Sequence, residues 1–394
     1  MVALLTFAVT LLVAVLVSEL AHRTVLSTAV LFLAAGFAVG EGALNLVFLQ
    51  PRAPLVTTLE ELALFSVLFT DGMRVGVRDL TSAWRLPGRA LLLGMPLTLF
   101  LLALAGHFVI GLPWTESFLL GAVLSPTDPV FAAAIVGRED VPYRLRHLLN
   151  VESGLNDGLA LPVVVVLLAV VEHGELDVGE VLVRLALGVA LGVVVPWAAI
   201  QLERSRFFAA STAYEPLNAF AIGLIVLAVA SLTGVNAFLA AFSAGITIAS
   251  MSPAIRDAFH RFGDLITELL KLAALMVLGI AIAPRVFAEL PLAGWAFVAL
   301  ALFAVRPVAV GLALVGSRIS AQEWIAAAWF GPKGFASVVY GLLILQSGVP
   351  RAEHLFELVA VVVTVSIAAH SSTDVVVARW FRKARAAPHT GDPP

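Results

Sequence analysis

Two short stretches of this chain place carboxylates where few proteins tolerate them. Ser125-Pro126-Thr127-Asp128-Pro129-Val130 and Glu152-Ser153-Gly154-Leu155-Asn156-Asp157-Gly158 both lie inside segments apolar enough to cross a bilayer. A charge at the membrane centre costs at least about 2.5–3.5 kcal/mol, so an intramembrane acid is read as functional by default. On a helix, Ser153 and Asp157 stand one turn apart on a shared face, with Asn156 beside them. A carboxylate with hydroxyl and amide oxygens nearby offers the hard ligands an alkali cation such as Na⁺ prefers. The same carboxylate can take a proton instead, so one site can hold either ion but not both. Pro126 and Pro129 flank Thr127-Asp128, remove backbone donors and break a helix there. The carbonyls freed at such a break, together with the Thr127 hydroxyl, can coordinate a cation. Asp128 either joins that set or neutralises the positive end of a half-helix. The expected ion and proton site is therefore Asp157, Asp128, Thr127, Ser153 and Asn156, with Asp157, Thr127 and Ser153 as direct cation ligands.

The elements that must position these groups follow from composition. Of 394 residues, 60% are hydrophobic and 13% charged, and the mean hydropathy is +1.01. A soluble protein of this length needs more polar surface than that. The fold class is an all-α polytopic membrane protein, with membrane lipid as its surroundings. A net charge of −3 gives no reason to expect nucleic acid as a partner. The absence of cysteine excludes disulfides, thiolate metal sites and cysteine nucleophiles. Apolar runs fall at 2–18, 25–40, 57–72, 90–112, 116–136, 146–171, 180–201, 216–233, 235–250, 264–283, 292–315, 323–346 and 354–378. They predict about thirteen transmembrane helices, numbered here in order, within a single membrane domain over 1–385. The run from Val2 has no basic region before it, so it is expected to remain as the first helix. Residues 386–394 are expected to form a short disordered tail with no soluble regulatory domain.

Basic residues set the orientation. Of 24 Lys and Arg, seventeen fall in alternate loops and at the C-terminal end, against four (Arg52, Arg184, Arg285 and Arg351) in the other loops. The N-terminus is then outside and the C-terminus cytoplasmic, in a multi-pass protein of the cell membrane. Three bases remain inside apolar helices: Lys271, Arg306 and Lys333. With Asp128, Glu152 and Asp157 they are numerous enough for mutual pairing. Arg306 precedes Pro307, and at that depth it needs a carboxylate. Glu152 faces away from Asp157, so Glu152–Arg306 is expected as a structural ion pair. Lys333 lies in Phe330-Gly331-Pro332-Lys333-Gly334-Phe335 and is expected either to offset half-helix dipole ends or to pair with Asp128. Lys271 has Glu268 three residues before it and is expected to snorkel to the surface with a local ion pair. Asp71 reads as a loop residue ending helix 3, and the histidines as interfacial. Gly36 and Gly40 form a small-xxx-small packing pair.

Aligning Pro332 on Pro126 places a second proline-interrupted break in helix 12 opposite the one in helix 5. Helices seven apart cross the membrane in opposite senses, which is the mark of an inverted repeat, helices 1–6 against 8–13. The filter loop of a channel is missing. So are the Gly-x-Gly-Asp run of intramembrane aspartic proteases, which Asp128 and Asp157 would otherwise suit, and a His-Glu-x-x-His stretch.

At these residues the chain resembles the monovalent cation/proton antiporters, specifically the NhaP-type sodium/proton exchangers. The likeness rests on Thr127-Asp128-Pro129, Glu152 to Gly158, Arg306 and the Gly331–Gly334 break, and covers the whole chain. It implies a homodimer whose helices 1–3 and 8–10 form a dimerisation part, past which a core of helices 4–6 and 11–13 moves. It implies Asp157 as the ion and proton carboxylate, Thr127, Ser153 and Asp128 around it, and a Glu152–Arg306 pair. It implies no cofactor and no enzyme activity, with Na⁺ (or Li⁺) and H⁺ as cargo and K⁺/H⁺ exchange as the alternative. The Asn156-Asp157 pair implies electroneutral, one-for-one exchange. Lys333 stands where many members carry Arg.

Overall fold

In hydrocarbon an unpaired backbone N–H or C=O costs several kcal/mol, so each apolar run must close its own hydrogen bonds as a helix. The computed structural model describes residues 1–18, 28–49, 52–74, 85–128, 141–173, 178–205, 211 and 214–386. Its longer helices are α1 (Val2–Leu16), α2 (Thr28–Val39), α3 (Pro54–Arg74), α4 (Leu86–Ile110), α5 (Trp114–Val123), α6 (Tyr143–His173), α7 (Val178–Glu203), α8 (Glu215–Thr233), α9 (Ala237–Met251), α10 (Pro253–Ala281), α11 (Leu292–Ala313), α12a (Ala321–Trp329), α12b (Phe335–Gln346) and α13 (Ala352–Ala386), with a short helix Pro284–Glu289 between α10 and α11. Six of these described helices, among them α4, α6 and α11, are each long and apolar enough to cross a membrane alone. The chain is an all-helical multi-pass membrane protein. The second half of expected helix 5 and the expected tail lie outside the described residues.

Two groups of helices pack separately before meeting. In one, α3 lies along α9 and α10, α10 along α2, and α7 along α9. In the other, α5 packs on α4 and α6, α12b on α13, and α11 on α4 and α12a. The α2–α10 contact is backbone to backbone. A Cβ on Gly40 would stand 2.6 Å from the Ile280 carbonyl oxygen, so only glycine permits this approach.

The two halves echo each other in a feature that hydropathy does not report. In α4 a π-helical turn at Ala90–Gly94 runs into Met95-Pro96. In α11 a π-helical turn at Ala301–Val305 runs into Arg306-Pro307. Proline lacks the N–H of an ordinary helical bond, and a widened turn before it absorbs the mismatch. The same device at matched positions of helices 4 and 11 fits the inverted repeat. In α11 it also sets the direction in which Arg306 leaves the helix.

Candidate cation and proton site

The two breaks meet. α5 ends at Val123 and the chain runs on without helix through Asp128, while 330–334 separates α12a from α12b. The Asp128 backbone N–H donates to the Pro332 carbonyl at 2.9 Å, joining the two interruptions directly. Each of the three described helix ends there carries unpaired backbone groups and a partial charge, and each receives an opposite charge. The Lys333 ammonium, 1% exposed, donates to the Ser125 and Pro126 carbonyls at 3.4 and 3.3 Å, at the negative end of α5. An Asp128 oxygen accepts from the Phe335 N–H at 3.3 Å, at the positive end of α12b. Arg306 donates to the Phe330 and Ala327 carbonyls at 2.8 and 3.3 Å, at the negative end of α12a.

Arg306 also grips Glu152 with both arms, at 2.8 and 3.1 Å, a fork geometry that only guanidinium supplies. Its passage past the break requires Gly331, since any Cβ there would overlap the guanidinium. Asp157 and Ser153 lie on another face of α6. There the Thr127 and Ser153 hydroxyls are 3.1 Å apart, and the Asn156 amide donates to Thr127 at 2.7 Å. Thr127, Ser153 and Asn156 thus form one buried hydrogen-bonded cluster, and Asp157, also buried, follows Asn156 directly on α6. Tyr340 of α12b donates its hydroxyl to the Asp157 carbonyl at 2.7 Å, which ties the second broken helix to this turn of α6.

Three expectations need correction. Lys271 does not snorkel: it is 8% exposed and its ammonium stands 3.7 Å from Asp128, because α10 is packed against α3 over this stretch. Asp71 is not a loop residue. It is buried within α3, which runs on to Arg74, and pairs with Arg74 at 3.0 Å. His370 is not interfacial, being buried between the Ser366 and Trp329 carbonyls at 2.8 and 3.0 Å. The three buried bases also do not simply match the three expected acids. Lys271 takes Asp128, Arg306 takes Glu152, and Lys333 sits on carbonyls rather than on Asp128. Among the described residues Asp157 has no ion-pair partner, and its buried Oδ1 accepts no hydrogen bond.

A multi-pass helical protein with two interrupted helices crossing beside a buried carboxylate is a secondary transporter by architecture. A model of the family described as sodium/hydrogen exchanger, transmembrane, matches residues 8–380, and the chain belongs to that family. It is 26% identical over 385 residues to the K(+)/H(+) antiporter NhaP of Alkalimonas amylolytica, covering 96% of this chain and 67% of that protein. To the K(+)/H(+) antiporter NhaP2 of Shewanella baltica it is 24% identical over 377 residues, covering 93% of this chain and 64% of that protein. The chain thus spans about two thirds of the length of these curated relatives. The fold matches the sodium proton antiporter MjNhaP1 of Methanocaldococcus jannaschii with a TM-score of 0.78 at 17% identity, over 100% of this chain and 99% of that one. These relatives are transporters, and none supports the protease alternative.

Proposed function

We propose that this protein exchanges a monovalent cation for protons by alternating access around Asp157. The observation that carries the reading is the state of that carboxylate: buried, with an oxygen lacking any hydrogen bond, and in no direct ion pair among the described residues. Burying a lone carboxylate is costly unless a cation or a proton joins it. Thr127, Ser153 and Asn156 supply neutral oxygens beside it for the cation. We propose Na⁺ or Li⁺ as the cargo, since the hydroxyls of Thr127 and Ser153 already lie within hydrogen-bond reach and leave a small site. K⁺ is the second reading, and the names of the curated relatives favour it.

The moving part is the group containing α4–α6 and α11–α13, sliding past α1–α3 and α8–α10, in a homodimer of the cell membrane with its N-terminus outside. The test is proteoliposomes with an imposed pH gradient and Na⁺, Li⁺ or K⁺ added separately. Wild type is expected to dissipate the gradient with its cargo ion, and Asp157→Asn to lose exchange while still eluting as folded protein. Normal exchange by Asp157→Asn would place the site elsewhere. Exchange with K⁺ alone would select the second reading, and cross-linking in membranes reports the dimer.

A further inference from the structure

Among the described residues, Lys271 is the one buried base that reaches the site from the other group of helices. Its helix is anchored there. Thr267, one turn earlier on α10, is 3.0 Å from Thr70 and donates to the Ser66 carbonyl of α3 at 3.3 Å. Arg74 of α3 joins Asp264 of α10 at 2.8 Å. Asp128 belongs to the broken segment, held on the other side by Pro332 and Phe335. The Lys271–Asp128 contact therefore bridges the two groups. It is also weak by construction. The ammonium stands 3.7 Å from one oxygen and makes no hydrogen bond among the described residues, although it has three N–H donors to place. A lysine kept for structure alone is expected to spend those donors, as Lys333 does on two carbonyls.

We infer that Lys271 is a tethered cation, a positioning residue that competes with the transported ion for the field of Asp128 and Asp157. With Lys271 against Asp128 the site already has one positive charge beside it, and a mobile cation binds less tightly. When the broken helices move away from α10 the ammonium stays behind, and the site's demand for a cation rises. Affinity is thereby tied to position, so cargo is released where Lys271 approaches and taken up where it recedes. The charged groups facing Lys271 are Asp128 from the broken segment, Asp157 from α6, Asp71 and Arg74 from α3, and Glu268 on its own helix. None of the other bases replaces it, because Arg74 is engaged by Asp71 and Asp264.

This inference rests on the antiport reading, and its test separates the two. A unit charge acting across about 10 Å at an effective dielectric near 20 alters cation affinity roughly tenfold. In proteoliposomes Lys271→Met is expected to lower the apparent KM for the cargo cation by roughly that factor and to slow maximal turnover, since release is impeded. Lys271→Arg is expected to keep the parent KM. The same leftward shift is expected for cation-dependent thermal stabilisation in detergent, which needs no transport. Lys271→Gln serves in place of Lys271→Met if the latter yields no folded protein. An unchanged KM and stabilisation midpoint in the neutral variant, with Asp157→Asn inactive, overturns the role of Lys271 and leaves the site intact. Exchange by Asp157→Asn overturns the site itself. Loss of fold in both neutral variants but not in Lys271→Arg also overturns the inference, because the ammonium is then a structural requirement rather than a competitor.

Discussion

Arg306→Met probes the most heavily bonded charge among the described residues. Removing the guanidinium leaves Glu152 buried without its counter-charge, which costs about 3–5 kcal/mol. It also strands the Phe330 carbonyl, bonded at 2.8 Å in the parent, for about 1–3 kcal/mol more. A loss of this size rivals the whole stability of many domains, so Arg306→Met is expected to be aggregated or strongly destabilised in detergent. Glu152→Gln keeps an acceptor and the shape but removes the charge, and is expected to lose stability before it alters cation affinity. The double variant Glu152→Met/Arg306→Met is the informative one. Replacing a buried pair by apolar groups of similar volume is often close to neutral. The double variant is therefore expected to be more stable than Arg306→Met, with the carbonyls of α12a as its remaining deficit. Thermal unfolding followed by tryptophan fluorescence, with size-exclusion chromatography, measures these proteins together with the parent and Glu152→Met, the single variant that closes the cycle. Strictly additive losses across this cycle would mean that the two residues do not act as a pair, and the structural role assigned to them would fall.

Competition at one carboxylate fixes the sign of the pH dependence. Lowering pH raises the proton occupancy of Asp157, so the apparent KM for the cation is expected to rise, approaching about tenfold per pH unit once the carboxylate is mostly protonated; a pH-independent KM would exclude competition. Gly331→Ala puts a Cβ into the space of the Arg306 guanidinium. It is expected to reproduce much of the instability of Arg306→Met, and melting curves like those of the parent would show that the guanidinium has another path. Exchange is expected to be insensitive to membrane potential at saturating ions, measured with the potential clamped by an ionophore for an ion the protein does not carry, because either ion adds one charge to Asp157.

What the chain discloses by itself depends on whether a residue's meaning is local. Thr127, Ser153, Asn156 and Asp157 could be found because acids and prolines in apolar runs are costly wherever those runs end up. Arg306 stood out for the same reason, and Glu152 was the acid left facing away from Asp157. Lys271 and Asp71 could not be placed this way. Their distance from a helix end suggested surface residues, but exposure is decided by the neighbouring helix, and α10 lies against α3 along that stretch. The destination of Lys333 was undetermined for a related reason. A carbonyl cluster and a carboxylate are equally good partners in principle, and only the crossing of the two breaks put Ser125 and Pro126 within reach. The π-helical turns at Ala90–Gly94 and Ala301–Val305 leave no trace in hydropathy, although each runs into a proline-containing turn that offers a paired signal.

The arrangement also accounts for the many other charges around the one carboxylate proposed to carry the exchange. Breaking two helices in mid-membrane exposes helix ends that water cannot reach, and each end needs a compensating charge. Lys333 serves α5, Arg306 serves α12a, and Asp128 serves α12b. Two of these charges, on Arg306 and Asp128, then pair with Glu152 and Lys271. Lys333, Arg306, Glu152 and Asp128 all belong to the helices proposed to move, so their charges travel together and contribute equally on both strokes. On the proposed reading Asp71, Arg74 and Asp264 stay behind as a network of their own, Lys271 stays behind as the base that touched the moving segment, and Asp157 is the group that changes its bound ion. A cycle built on these residues would have one variable charge on the mobile side and, on the stationary side, one base in contact with the moving segment. That is the smallest set able to make affinity depend on position while keeping the exchanged charges equal.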